Sequence, residues 1–238
     1  MKLVKSYEPL EEKTINEAII TNTNINNKKV TLYIEEIIKR FIDIFMGLIG
    51  TLILIPITIG IFIAKKILHE DDGPIFYEQL RIGKDGKVFR MFKYRSMVIG
   101  ADEKLSTYLN ENEEAREEYS KYKKLKNDPR ITKVGKFIRK TSIDEFPQFI
   151  NVLIGQMSLV GPRPYLPREQ EDMGNYYKYI IQCKPGITGY WQTSGRSDVT
   201  FDDRLKMDFK YCQKRSLKVD IKLLMKTISN VIKKEGAV

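Results

Sequence analysis

The stretch TSIDEFPQFINVLIGQMSLVGPRP, residues 141–164, places an adjacent acid pair at the head of an apolar segment that ends in Pro-Arg-Pro. Ser142 followed three residues later by Glu145 has the form of a capping box, which predicts that a helix begins here. Asp144 and Glu145 would then lie in the first turn, where unpaired N–H groups and the helix dipole favour carboxylates and phosphates. The pair is therefore either a favourable helix start without chemistry, or a nucleophilic aspartate beside a metal-binding glutamate.

Upstream of this stretch, residues 41–64 form the apolar run FIDIFMGLIGTLILIPITIGIFIA, in which Asp43 is the single charge. At about 1.5 Å per residue, the run is long enough to cross a bilayer core of roughly 30 Å. Pro56 weakens a straight helix, and basic residues at 39–40 and 65–66 would hold both ends at the cytoplasmic face. The residues alone leave a spanning and a re-entrant helix open, with Asp43 expected near the headgroups beside the basic residues at 39–40.

Between the apolar run and the acid pair, residues 73–97 predict a β-hairpin turning at Asp85-Gly86. Lys93 and Arg95 are two residues apart and share one face of the second strand. Two cations on one face suit a diphosphate, and they equally suit an edge strand protected by charge.

The remaining segments are predicted mostly as helices and loops. We expect a flexible segment at 1–36, a solvated helix at 101–126, a helix at 167–183 weakened at Gly174, a glycine-rich loop at 184–196, and helices at 202–214 and 217–234. The last of these is basic and amphipathic, which fits either a membrane surface or ordinary core packing.

Composition restricts the partners of this 238-residue chain. Lys and Arg number 41 against 31 acidic residues, a net charge of +10, which favours nucleic acid, anionic lipid or phosphorylated substrates. No helix-turn-helix, zinc-finger or RNP-like pattern is present, which argues against nucleic acid. Two cysteines and one histidine exclude the usual Cys/His zinc sites and a disulfide framework, and fit a reducing compartment.

The motifs DEFPQFINVL and MSLVGPRP, with FKYRSM before them and PGITG after them, resemble the bacterial sugar transferase family. These are the monotopic phosphoglycosyl transferases, which include undecaprenyl-phosphate galactose and glucose phosphotransferases. The similarity runs from about Ile38 to about Lys226. It implies an α+β fold, with a mostly helical catalytic domain, a small β-hairpin, and a re-entrant helix-break-helix anchor kinked at Pro56. Family members often have Ser before this proline, where this chain has Ile55.

The resemblance also implies a reaction. Asp144 attacks the β-phosphorus of a UDP-sugar, UMP leaves, and undecaprenyl phosphate takes the sugar-1-phosphate from the covalent aspartyl intermediate. This is the first membrane step of exopolysaccharide or capsule synthesis. Glu145 is expected to hold Mg²⁺. The expected phosphate contacts are Lys93, Arg95, Arg139, Arg163 and Arg196. Galactose or glucose is favoured, and N-acetylated sugars stay open, since Trp191 and Ser197 depart from the Ala and Asn common in the family.

These implications divide the chain into a flexible segment at 1–36, a re-entrant membrane helix at 37–68, and a catalytic domain at 69–238. The catalytic domain is expected on the cytoplasmic face of the inner membrane, with UDP-sugar and undecaprenyl phosphate as partners and no nucleic acid. Homo-oligomerisation stays open. The alternative is a non-catalytic basic scaffold on anionic lipid, in which the acid pair only caps a helix.

Overall fold

The structure, a computed structural model, describes residues 12–122, 125–194 and 199–233. The α-helices in these ranges are α1 (Glu12–Ile67), α2 (Ala101–Glu111), α3 (Glu113–Tyr122), α4 (Lys133–Lys140), α5 (Gln148–Leu153), α6 (Tyr177–Ile180), α7 (Tyr190–Thr193), α8 (Phe201–Lys214) and α9 (Leu217–Lys233). The strands are β1 (Phe76–Ile82), β2 (Val88–Tyr94), β3 (Ser158–Val160) and β4 (Gly186–Thr188). β1 pairs with β2 antiparallel, and β3 pairs with β4 parallel. The predicted mostly helical α+β fold is confirmed.

The chain divides into two compact units, residues 1–40 and 41–238. The described part of the first unit, from Glu12 onward, is helical. Residues 12–36 are thus helical where a flexible segment was predicted for 1–36, and residues 1–11 lie outside the described residues. Residues 12–36 contain neither Pro nor Gly to end a helix, and extending a helix is far easier than starting one.

In the second unit, residues 41–67 of α1 pack one face along the catalytic domain. The packed positions recur with the spacing of a helix face: Asp43, Gly47, Gly50, Leu54 and Ile61. The other faces of this segment carry exposed large apolar side chains, and the stretch Tyr33–Ile67 is long and apolar enough to cross a membrane. The segment is therefore both a packing element of the domain and an apolar surface.

Glycines on the packed face of α1 allow close approach to α5. Gly47 lies against the backbone of Leu153, and a Cβ added at Gly50 would lie 2.3 Å from the ring of Phe149. Larger residues at these positions would separate the two helices.

Asp43 is 3% exposed, and its Oδ1 accepts hydrogen bonds from Ser158 Oγ at 3.1 Å and Leu159 N at 2.9 Å. The charge inside the apolar run thus has polar partners on β3, which no local pattern in the sequence indicates. A buried carboxylate needs such partners, because an unpaired one is costly to desolvate.

The helix runs without interruption through Pro56. Two residues later, Thr58 Oγ1 lies 2.7 Å from the Leu54 carbonyl and 2.6 Å from the hydroxyl of Tyr94 on β2. Hydroxyl groups from α1 and β2 therefore supply polar contacts at the proline, where family members often have a serine. The re-entrant path itself stays a prediction.

The predicted hairpin is confirmed, with Asp85 and Gly86 at positive φ of 57° and 75°. The outer edge of β2 is completed by a side chain from α5. The Asn151 amide accepts from Phe92 N at 3.0 Å and donates to Arg90 O at 2.7 Å, as a neighbouring strand would. This contact fixes the hairpin to the segment that carries the acid pair.

The predicted helices at 202–214 and 217–234 correspond to α8 and α9. In α9, Leu223 is buried in the main core, whereas Ile221 and Met225 are exposed. Core packing is thus established for one face, and a membrane role for the other stays a prediction. The helix predicted at 167–183 is wrong as a single element, because the chain forms short 3-10 turns and α6, with Gly174 at φ 50°.

Candidate active site

Asp144 and Glu145 lie in a short 3-10 turn, Ile143–Glu145, between α4 and α5. The predicted capping box is wrong. Ser142 has left-handed backbone angles (φ 57°), so its side chain makes no cap hydrogen bond, and α5 begins only three residues after the acid pair. The side chain of Glu145 turns instead to a cation on β2, Lys93.

Lys93 Nζ lies 3.0 Å from Glu145 Oε1, in a partly buried ion pair. Burial by itself would raise the pKa of Glu145, but Lys93, followed by the guanidinium groups of Arg163 and Arg81, outweighs burial and lowers it. Glu145 is therefore ionised at neutral pH.

The pKa of Asp144 shifts in the opposite direction, upward. Burial is the largest influence and raises the pKa of its carboxyl to about 6; Lys93 and Arg139 oppose this rise, while the charge of Glu145 adds to it. At neutral pH the carboxyl is mostly ionised, and it is more basic than an ordinary aspartate. Two adjacent carboxylates with displaced pKa values are the arrangement expected when one acts as nucleophile and the other as a fixed anion.

Two arginines direct positive charge at the pair. Arg139 lies in the last turn of α4, and its charge lowers the pKa of Asp144. Arg163 lies between two prolines, and its charge lowers the pKa of Glu145. Within the described residues, the buried Arg139 Nη1 and Arg163 Nε have no hydrogen-bond partner. These nitrogens could donate to an anion such as a phosphate.

Arg81 is a further cation near the pair, and the sequence analysis missed it. It is 6% exposed on β1, and its Nη1 donates to the carbonyl of Pro164 at 2.8 Å. Burial, followed by Arg163, lowers its pKa to about 9, so it stays cationic at neutral pH. Its position in the strand is the signal that could have found it. Arg81 lies two residues after Gln79, so both side chains share the inward face of β1.

The other two predicted phosphate contacts are placed differently. Arg95 is buried, forms an ion pair with Asp71, and donates from Nε to the Pro74 carbonyl at 2.7 Å. The structure brings it to the linker after α1 and not to the acid pair. These partners favour a structural role, and its contact with substrate stays a prediction. Arg196 lies outside the described residues.

The described residues contain no cluster of three or more His, Cys, Asp or Glu that could hold a metal ion. Mg²⁺ is commonly bound through one or two carboxylates together with substrate phosphates, without a cage of protein ligands. The side chain of Glu145 is 41% exposed and has a second carboxylate oxygen besides the one bonded to Lys93. The acid pair therefore fits a phosphate-bound Mg²⁺.

Residues 34–234 match the family model described as bacterial sugar transferase. The chain belongs to this family. The family prediction made from the motifs around the acid pair is confirmed, and with it the expectation of a transferase.

Related proteins support the same family assignment. The chain is 45% identical over 200 residues to the undecaprenyl-phosphate galactose phosphotransferase of Salmonella typhimurium, which covers 84% of this chain and 41% of that protein. It is 41% identical over 222 residues to an uncharacterized sugar transferase of Haemophilus influenzae, and the match covers 93% of this chain and 46% of that protein. It is 37% identical over 199 residues to the exopolysaccharide production protein ExoY of Sinorhizobium fredii, and the match covers 84% of this chain and 87% of that protein. The chain spans about half the length of the first two relatives.

Proposed function

We propose that this sugar transferase moves a sugar-1-phosphate from a UDP-sugar to undecaprenyl phosphate, with Asp144 as the nucleophile. The observation that carries the proposal is the Asp144 carboxylate, partly buried and more basic than usual, beside the Glu145–Lys93 ion pair. Arg139 and Arg163 add the positive charge that a diphosphate requires. Similarity to the undecaprenyl-phosphate galactose phosphotransferase of Salmonella typhimurium supports undecaprenyl phosphate as the acceptor.

The reaction has two displacements at one phosphorus atom. An oxygen of Asp144 attacks the β-phosphorus of the UDP-sugar, the bond from that phosphorus to the bridging oxygen breaks, and UMP leaves with the electron pair. An aspartyl-phosphosugar remains. A phosphate oxygen of undecaprenyl phosphate then attacks the same phosphorus, which forms the diphosphate-linked sugar and frees Asp144. An ionised Asp144 needs no general base for the first displacement.

The surrounding residues hold and neutralise the diphosphate. Glu145 would hold Mg²⁺, which when bound neutralises phosphate charge during the displacement. Arg139 and Arg163 would donate to phosphate oxygens through guanidinium nitrogens that are otherwise unpartnered among the described residues. Lys93 holds Glu145 in place through the ion pair at 3.0 Å. The arginine contacts to phosphate oxygens would strengthen as charge moves onto the leaving UMP.

We further propose that residues 41–67 enter the cytoplasmic leaflet of the inner membrane and return without crossing it, with α1 bending at Pro56 in the lipid. The packed face of this segment supports the re-entrant path. A helix crossing the bilayer straight would carry its contacts with the domain, including the polar ones from Asp43 to Ser158, into the hydrocarbon, where polar groups are costly. A re-entrant helix keeps them at the membrane surface, where a soluble UDP-sugar and a lipid-bound phosphate can meet.

The proposal is tested by UMP release from UDP-galactose, UDP-glucose and their N-acetylated counterparts, in detergent with Mg²⁺ and undecaprenyl phosphate. We expect release with wild type and with the exposed-residue control Asp102→Asn, and none with Asp144→Asn. Intact mass without the lipid acceptor should show a sugar-phosphate adduct on wild type and on Asp102→Asn, and none on Asp144→Asn. Equal turnover by folded Asp144→Asn would refute the nucleophile. No UMP from any sugar, combined with binding to anionic lipid, would favour the non-catalytic scaffold.

A further inference from the structure

The segment Pro162–Pro164 has a single backbone N–H, that of Arg163, because proline has none. This N–H donates to Oδ2 of Asp208 on α8 at 3.0 Å. The same oxygen accepts the hydroxyl of Tyr165 at 2.8 Å. One carboxylate oxygen therefore holds the backbone on which the Arg163 side chain is mounted.

Asp208 has no exposed surface, and its second oxygen, Oδ1, has no hydrogen-bond partner within the described residues. Burial raises its pKa to about 7. Its neighbours on the inward face of α8, Leu205 and Tyr211, pack into apolar clusters. An apolar residue at position 208 would suit that face, so a buried carboxylate here is costly unless its hydrogen bonds serve another purpose.

The side chain of Arg163 is held from other directions as well. Its guanidinium carbon lies 5.3 Å from the centre of the Trp191 ring, and that of Arg204 lies 5.4 Å from the same centre. The next carbonyl, that of Pro164, accepts from Arg81. The residue is therefore fixed along its backbone and along its side chain, while its charge acts on the acid pair.

We propose that Asp208 is a positioning residue for Arg163. By accepting the only N–H of the Pro-Arg-Pro segment, it sets the direction in which the guanidinium extends toward the diphosphate. The inference rests on the proposed function, and it concerns geometry alone: Asp208 touches neither substrate nor the acid pair.

A double-mutant cycle with UMP release as the assay tests the inference. Asp208→Leu keeps the branched shape with a larger side chain and removes the acceptor, whereas Asp208→Asn keeps an oxygen acceptor. We expect Asp208→Leu to lower kcat/KM for the UDP-sugar about 10- to 100-fold, the range of a misplaced binding group, and Asp208→Asn to stay within about threefold of wild type. In an Arg163→Ala background, adding Asp208→Leu should lower kcat/KM by less than about threefold, because the side chain that Asp208 positions is already absent.

The matched control is Asp220, a second buried aspartate, 6% exposed on α9, which accepts the hydroxyl of Tyr211 at 2.8 Å. Asp220→Leu should lower thermal stability and leave kcat/KM within about threefold. Equal losses from Asp208→Leu with and without Arg163, or an equal loss from Asp220→Leu, would overturn the inference. If Asp208→Leu does not fold, Asp208→Ala goes through the same cycle. Wild type without UMP release would instead refute the proposed function.

Discussion

Replacing Asp144 with asparagine should make the folded protein more stable at neutral pH. Burial, against the opposing charges of Lys93 and Arg139 and with the added charge of Glu145, raises the pKa of this carboxyl from 3.8 to about 6. A carboxyl whose pKa is higher in the folded chain than in the unfolded one binds its proton more tightly when folded. Ionising it at pH 7 therefore lowers the free energy of unfolding.

The magnitude follows from the two pKa values. Each tenfold change in proton affinity corresponds to about 1.4 kcal/mol, so the full difference between 3.8 and about 6 amounts to about 3 kcal/mol. Asp144 is only partly buried, and water reduces this value to about 1 to 2 kcal/mol. For a chain of this size, the gain raises Tm by about 2 to 8 °C.

The extra stability of Asp144→Asn should depend on pH. Below about pH 4 the carboxyl is protonated in the folded and the unfolded chain, so ionisation does not reduce stability. The loss of stability grows as pH rises toward 6 and is complete above it. The Tm difference between Asp144→Asn and wild type should therefore be largest at pH 7 and close to zero near pH 4.

Thermal unfolding in detergent, followed by fluorescence of the single tryptophan, Trp191, measures this difference. The contrasting control is Glu145→Gln. Its carboxyl has a lowered pKa and an ion pair with Lys93, so removing its charge should lower Tm at pH 7. If Asp144→Asn is no more stable than wild type at pH 7, or if its Tm advantage is the same at pH 4, the electrostatic reasoning about the acid pair is wrong.

Three further predictions follow from the same geometry. UMP release in the first half-reaction should fall about tenfold per pH unit below about pH 6, as Asp144 becomes protonated; a pre-steady-state profile flat down to pH 5 would contradict this. Arg95→Met should lower the unfolding free energy by about 2 to 3 kcal/mol by removing the buried guanidinium from Asp71 and from the Pro74 carbonyl, with KM for the UDP-sugar nearly unchanged; a stable variant with a large rise in KM would place this guanidinium at the substrate. Gly50→Ala should lower the free energy of unfolding by about 1 to 3 kcal/mol, because its Cβ would overlap a phenylalanine ring on α5. Gly60→Ala, whose Cβ would have nothing within 4 Å, should not destabilise the protein. Equal Tm values for the two variants would argue against the packed face of α1.

Local signals in the sequence predicted the local structure. Asp85-Gly86 supplies the positive φ angles that a hairpin turn needs, and the hairpin is present. The helices predicted at 202–214 and at 217–234, the second from its periodic apolar residues, are present with nearly correct ends. The motif around Asp144-Glu145 led to the correct family, because its residues lie next to one another in the chain.

The sequence could not predict contacts between distant segments. The capping-box prediction failed because Lys93, 52 residues away, binds Glu145 more favourably than a backbone N–H could. Arg81 and Asp208 meet the Pro-Arg-Pro segment only in the folded chain, from β1 and α8. The strand position of Arg81 could indicate which face it shares, but nothing in the local pattern of either residue indicates its partner.

The packed face of α1 makes the apolar segment specific to this catalytic domain. Asp43 meets β3, Gly50 meets α5, and Thr58 meets β2, all from one side of the helix. Inserting one residue between Asp43 and Gly50 would rotate everything on one side of the insertion by about 100° relative to the other. The Asp43 carboxylate and the glycine face could then no longer meet their partners together. A generic hydrophobic helix of equal length could not replace this one, and shifts in its register should be tolerated far less well than changes among its exposed apolar side chains.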